Sequence, residues 1–186
     1  HSAMRHVSLA RKELGLRTLF NVLGPMANPA GLKRQLIGVY DRALCRPVAE
    51  VLQRLGSEHV MVVHSEDGLD EISLAADTHV AELKNGAVRE YTLQPEQLGF
   101  ERQSLQDLVV DDVASSLALI TAALAGEKDP RSQRAANMIA LNAGAAIYVA
   151  GVAASVFDGV SIANDLLASG AGLEKMQQLV EMTQGF

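Results

Sequence analysis

Two adjacent carboxylates, Asp70 and Glu71, carry the clearest chemistry in the sequence. They stand in Asp67-Gly68-Leu69-Asp70-Glu71-Ile72-Ser73, which runs directly out of the apolar segment His59-Val60-Met61-Val62-Val63-His64. A β-branched run that ends in an acidic, glycine-containing turn reads as a buried strand delivering acids to an open sheet edge. In open α/β sheets, ligands gather beyond the carboxyl ends of the strands. Neighbouring side chains on an extended or looped backbone diverge, so the pair offers two hard oxygen ligands. Such ligands suit one or two magnesium ions, with waters and substrate phosphates completing the shell. On chemistry alone a solvated acidic loop that binds nothing stays open, since acids are mostly simply exposed.

A second set of candidates lies near the start of the chain. Arg5, Arg11, Lys12 and Glu13 interrupt Val7, Leu9, Leu14 and Leu16 at helical spacing, and Gly15 closes the segment. His1 and Arg11 fall on different turns and share a pocket only if a bend intervenes; otherwise the basic residues form an exposed face. In the stretch from Arg17 to Ala30, Gly24-Pro25 and Asn28-Pro29 read as turn punctuation after a short apolar helix. Proline fixes φ and removes a donor, so this loop is stiff. It suits either the wall of a site for a planar ligand or a rigid connector.

The elements that must position these residues follow from periodicity. Leu36 to Tyr40 reads as a strand. A helix follows with Val48, Val51, Leu52 and Leu55 on one face; Pro47 belongs in its first turn and Gly56 closes it. With the strand from Glu58 to His64 this makes a βαβ unit, so the two strands are expected to be parallel. Thr78–Lys84 and Ala87–Leu93 alternate around Asn85-Gly86, the strongest short hairpin signal. Gln94 to Asp112 is polar and reads as loop with short helical pieces. Four helices are expected beyond Val113, over Ala114–Ala125, Arg131–Gly151, Asp158–Ser169 and Leu173–Thr183. Asn142, in the apolar second of these, is read as a satisfied core amide in preference to a pocket residue.

Composition narrows the function classes. The 186 residues are 48% hydrophobic and 20% charged, an ordinary globular balance. Asp and Glu outnumber Lys and Arg 22 to 16, for a net charge of −6, with no basic tract to suggest a nucleic-acid partner. No run is long enough for a membrane span and no signal peptide is visible. Cys45 has no partner for a disulfide and no CxxC pattern, which fits a reducing, cytoplasmic setting.

Three blocks combine into a pattern. They are His1-x-Ala3-Met4-Arg5-x-Val7-x-x-x-Arg11-x-x-Leu14-Gly15-x-Arg17-Thr18-x-Phe20-Asn21-x-Leu23-Gly24-Pro25-x-x-Asn28-Pro29, the Asp67–Ser73 loop, and the helix beginning Asn142-Ala143-Gly144-Ala145. Together they closely resemble the anthranilate phosphoribosyltransferase family, of the glycosyltransferase family 3 or nucleoside phosphorylase-type fold. The resemblance runs in order over the whole chain, departing at Ser2 and at Ser8-Leu9-Ala10. It implies that the chain is the C-terminal portion of the enzyme, since no glycine-rich phosphate loop of the family's kind is found in it. By itself such a portion is expected to be inactive. The implied division is residues 1–24, a remnant of the small helical domain and the start of the site wall, and residues 25–186, the C-terminal part of the catalytic α/β domain. The implied architecture is α/β, with a mixed, mainly parallel sheet, a β-hairpin edge and flanking helices.

The resemblance also implies roles. His1, Arg11 and Pro25 match residues along the anthranilate path, with Arg11 offered to the anthranilate carboxylate. Asp70 and Glu71 match the pair that holds Mg2+ against the pyrophosphate of phosphoribosyl pyrophosphate. The implied reaction transfers the phosphoribosyl group to anthranilate, giving N-(5-phosphoribosyl)anthranilate and pyrophosphate, in tryptophan biosynthesis. The implied assembly is a homodimer, with no nucleic acid or membrane partner. Two alternatives share the fold: a pyrimidine nucleoside phosphorylase-like enzyme, which does not need the acidic pair, and a non-catalytic nucleic-acid-binding relative, which the negative net charge disfavours.

Overall fold

The β-branched and alternating segments form a four-stranded sheet, ordered β1-β2-β3-β4 among the described residues. In the computed structural model, which describes residues 13, 20–28 and 30–185, these strands are β1 (Arg34–Gly38), β2 (His59–Ser65), β3 (Thr78–Lys84) and β4 (Ala87–Leu93). β1 and β2 pair in parallel, from Arg34↔His59 to Gly38↔Val63, and helix α2 (Cys45–Arg54) makes the crossover. α2 lays its buried stripe, Cys45, Val48, Ala49 and Leu52, against β2 and β3.

The sheet is mixed, but the expected parallel majority is corrected: β2–β3 and β3–β4 are both antiparallel. A parallel return needs a long crossover, usually a helix. The segment after β2 instead turns back on itself, with Glu66 N donating to Asp77 O at 2.9 Å. The β3–β4 hairpin turns at Asn85-Gly86, whose φ values of 52° and 74° are both left-handed. That is the two-residue turn whose twist matches the strands, and it favours Asn and Gly for their tolerance of positive φ.

Helices α3 (Val113–Leu124), α4 (Pro130–Ala150), α5 (Val156–Ala168) and α6 (Ala171–Gln184) follow. Their starts are local. Asp112, Asp129 and Ser155 each accept a backbone N–H of the first turn, which satisfies donors the helix leaves open. α4 covers the face of β1 and β2 opposite α2. It meets α5 at a close crossing: a Cβ on Gly159 would stand 2.1 Å from Gly144 O, and one on Gly144 2.5 Å from Val160 N. The core between sheet and helices contains Met61, Val63, Ile72, Leu74, Val80, Leu141, Ala145, Tyr148 and Val160. Buried on both faces, β2 has no room for polar alternation, which is why it reads as a continuous apolar run.

The chain divides into two compact units, His1–Leu32 and Lys33–Phe186. In the first, helix α1 spans Phe20–Met26. Pro25 lies inside α1, so Gly24-Pro25 is not the expected turn. A proline in a last helical turn has no N–H for the carbonyl four residues back, and the helix ends one residue later. The reversal comes at Asn28, whose carbonyl accepts from Gly31 N at 3.1 Å and whose Oδ1 accepts from Ala30 N at 3.0 Å. Of the helix expected over residues 1–16, only Glu13 is among the described residues, where it is helical.

Candidate functional site

The acidic loop leaves β2 at the carboxyl end of the parallel β1–β2 pair. A tight turn forms first: Gly68 N donates to Ser65 O (2.9 Å) and Ser65 N to Leu69 O (3.0 Å). Asp67 is used up in holding this turn. One of its oxygens accepts Leu69 N at 3.3 Å and the other accepts Ser73 Oγ at 2.6 Å. Ser73 N in turn donates to Thr78 Oγ1 at 3.1 Å. Directly after Glu71 the chain dives into the core, with Ile72 2% and Leu74 0% exposed. The loop is thus hydrogen-bonded at both ends.

Asp70 and Glu71 are left over. Both are exposed, and neither has an ion pair or side-chain hydrogen bond among the described residues. Partial desolvation pushes the Glu71 carboxyl above the ordinary carboxylate range, and the charge of Asp70 beside it pushes it further. Two carboxylates that repel each other, with no cation among the described residues to offset them, form an electrostatic demand for positive charge. Among the described residues no three His, Cys, Asp or Glu side chains converge into a metal cage. Magnesium does not require one, because it keeps several waters and binds through one or two carboxylates plus substrate phosphates. The donor set therefore fits Mg2+ and would not by itself hold a structural metal.

The backbone under the pair is fixed by two contacts that sequence reasoning did not link to it. Gly38, the last residue of β1, carries no side chain where a Cβ would stand 1.5 Å from Asp70 O. Asn142 on α4 hydrogen-bonds both backbone polar groups of Ile72 at 2.9 Å. The core-amide reading of Asn142 holds, and the residue it satisfies is the one following Glu71. The signal for Gly38 was present: a glycine within a β-branched run marks a close backbone approach.

The profile of the glycosyl transferase family, a/b domain, matches residues 1–173. The chain belongs to that family. It is 63% identical over 183 residues, or 98% of its length, to an anthranilate phosphoribosyltransferase of Saccharophagus degradans, of which it covers 54%. It is 59% identical over its full length to one of Stutzerimonas stutzeri, covering 53% of that protein. Thus it spans about half the length of the curated relatives it matches. Its fold is similar to the anthranilate phosphoribosyltransferase of Thermus thermophilus, with a TM-score of 0.85 at 39% identity over 97% of this chain and 52% of that one. It is also similar to the Saccharomyces cerevisiae enzyme in complex with PRPP and Mg, with a TM-score of 0.83 at 25% identity over 100% of this chain and 53% of that one.

The remaining sequence candidates sort as follows. Pro25 is half-buried in α1, in the first compact unit. His1 and Arg11 lie outside the described residues. Cys45 is fully buried, and burial pushes its thiol up to about 11, which leaves it no thiolate character near neutral pH. At the opposite end of the sheet from the acidic pair lies a cavity of about 410 Å³ lined by Arg34, Ser57, Glu58, His59, Lys84, Asn85 and Gly86. The residues behind it form a closed polar cluster. Glu82 Oε1 accepts from His59 Nε2 and Tyr148 OH, each at 2.7 Å, and Oε2 accepts from Tyr91 OH at 3.1 Å. Lys84 Nζ donates to Tyr148 OH at 2.9 Å. Burial and then the Glu82 charge push the Tyr91 hydroxyl far above its usual range. Sequence reasoning missed this cluster altogether.

Proposed function

We propose that the protein carrying this chain transfers the phosphoribosyl group of phosphoribosyl pyrophosphate to anthranilate, releasing pyrophosphate in a step of tryptophan biosynthesis. The observation that carries the proposal is the Asp70-Glu71 pair: two carboxylates without a partner among the described residues, on a fixed backbone at the carboxyl end of a parallel strand pair. The similarity to anthranilate phosphoribosyltransferases over the whole chain supports phosphoribosyl pyrophosphate as the substrate at that pair.

In this reading Asp70 and Glu71 hold Mg2+, which neutralises the charge on the departing pyrophosphate when bound. The amine nitrogen of anthranilate attacks C1 of the ribose. The C1–oxygen bond breaks with its electron pair going to pyrophosphate, and the substituted amine, acidic once alkylated, gives its proton to water. The aromatic amine is a weak base, present unprotonated at neutral pH, so neither carboxylate needs to serve as a base. Arg11 receives the anthranilate carboxylate through its two-pronged guanidinium. His1 and Pro25 line the path of the ring, and the remaining barrier falls by holding amine and anomeric carbon together. Residues 1–24 contribute to a small helical domain through which the protein forms a homodimer.

The test is pyrophosphate release by the intact gene product given phosphoribosyl pyrophosphate, anthranilate and Mg2+. Release should require all three. Replacing Asp70 by Asn together with Glu71 by Gln should reduce turnover about 100-fold or more. Near-normal turnover in that double variant would remove the metal role, and release without anthranilate would remove the acceptor.

A further inference from the structure

Asn142 answers both polar groups of one peptide residue across 70 positions of sequence. Its Oδ1 accepts from Ile72 N at 2.9 Å, and its Nδ2 donates to Ile72 O at 2.9 Å. The second Nδ2 hydrogen goes to Met138 O at 3.2 Å, one turn back on α4. That third bond fixes which way the carboxamide faces. Turning it over would set Oδ1 against two carbonyl oxygens and Nδ2 against an N–H. The side chain therefore does for Ile72 what a neighbouring strand does for a sheet residue.

The support behind Asn142 is rigid in the same sense. Gly144, two residues on, lies against Gly159 and Val160 of α5 at distances no Cβ would allow. α4 is thus seated by a backbone-to-backbone crossing beside the residue that grips the loop. From the sheet side, Gly38 receives the Asp70 carbonyl. From below, the Ile72 side chain is buried in the core. The two carboxylates themselves have no partner among the described residues, so the described contacts that constrain them act through the backbone.

We infer that Asn142 is a positioning residue for the acidic pair: by fixing the peptide after Glu71, it holds the backbone from which Asp70 and Glu71 offer their oxygens to a divalent cation. This rests on the reading of the pair as the Mg2+ site given above. Groups that orient metal ligands without touching the metal have measurable effects on affinity, about 10- to 100-fold when removed.

Mn2+, an octahedral oxygen-seeking ion like Mg2+, is the probe. The intact gene product is titrated with Mn2+ in the presence of phosphoribosyl pyrophosphate, and free Mn2+ is followed by its paramagnetic resonance signal. Asn142→Ala should weaken Mn2+ uptake about 10-fold or more, and the Ile72 amide should lose its protection from hydrogen exchange. A folded Asn142→Ala protein with a lower melting temperature but unchanged Mn2+ affinity would overturn the inference and leave Asn142 as a core amide only. Asn142→Asp keeps the volume and one acceptor but sets an oxygen against the Ile72 and Met138 carbonyls. It decides the question by the same affinity if the alanine variant does not fold. If the unaltered protein takes up no Mn2+ with phosphoribosyl pyrophosphate, the metal reading itself falls and this inference with it. If the unaltered protein does, and the Asp70→Asn, Glu71→Gln variant does not, the metal reading stands and the Asn142 variants alone judge this one.

Discussion

At one end of the sheet the Glu82 side chain is only 12% exposed and accepts three hydrogen bonds; at the other Glu71 is exposed and accepts none from the described residues. The two carboxylates are chemically identical, and their surroundings separate them completely. Glu82 sits among donors that arrived with it from β2, β4 and α4: His59, Tyr91 and Tyr148. Its charge is dispersed inside the protein, so nothing remains to attract a ligand. Among the described residues the one charge acting on Glu71 is another acid, and the hydrogen bonds there go to the backbone around the pair instead of to the carboxylates. Asp67, three residues before Asp70, sharpens the contrast, because it is consumed by Leu69 N and Ser73 Oγ. A carboxylate kept free on a fixed backbone is available to bind something; one enclosed by donors is part of the scaffold.

Three variants break or sharpen this contrast. Glu82→Ala should have the largest effect on stability. It leaves His59, Tyr91 and Tyr148 without their acceptor in a nearly dry site, and losing one partner of a buried charged network costs about 3 kcal/mol. Chemical denaturation measures it, and a loss no larger than that of a surface substitution would mean the cluster is not closed. Gly38→Ala comes next. Its Cβ would coincide with the Asp70 carbonyl, so β1 or the loop must move, at about 2 kcal/mol by the usual cost of overpacking. Because the displaced atom belongs to Asp70, Mn2+ uptake should fall along with stability.

The smallest effect belongs to Glu71→Gln, and its sign is the informative part. The folded-state pKa of Glu71 is raised. Any stability linked to it is therefore present below the ordinary glutamate value and lost as pH rises through the folded value. At neutral pH the ionised Glu71 opposes folding through desolvation and through Asp70. Removing the charge should leave the protein equally or slightly more stable there, by less than about 0.5 kcal/mol for so exposed a group. The advantage should vanish near about pH 4, where the native side chain is itself largely protonated. Melting temperatures of both proteins at the two pH values test this. A clear loss of stability at neutral pH would show that Glu71 has a structural partner after all.

Much of the fold is legible in the sequence because it is local. Asn85-Gly86 needs only its own positive φ values to fix a hairpin and its register. Asp112, Asp129 and Ser155 start helices by bonding their own first turns. The apolar run into Asp70-Glu71 is visible as a buried strand that ends in acids. Pro25 was misread for a local reason as well: Gly-Pro is common turn chemistry, yet a proline is also tolerated in a terminal helical turn, and periodicity does not separate the two over so short a segment. The balance of parallel and antiparallel pairing could not be read, since it depends on which way the segment after β2 folds back.

By itself, then, the sequence determined the elements, the acidic pair and the family, because these depend on residue type and short spacing. Tertiary structure alone decided which acids remain free. Glu82, Asp67, Asp70 and Glu71 are all carboxylates within one stretch of chain, and nothing in that stretch says that Glu82 will meet a histidine and two tyrosines. Nor does it say that Asn142 will take hold of Ile72, or that Gly38 will make way for Asp70. Those pairings are made between elements, across the strands around Glu82 and where β1 and α4 meet the acidic loop. Until the partners of each carboxylate are in place, a hydrogen-bonded scaffold acid and a ligand acid are the same residue.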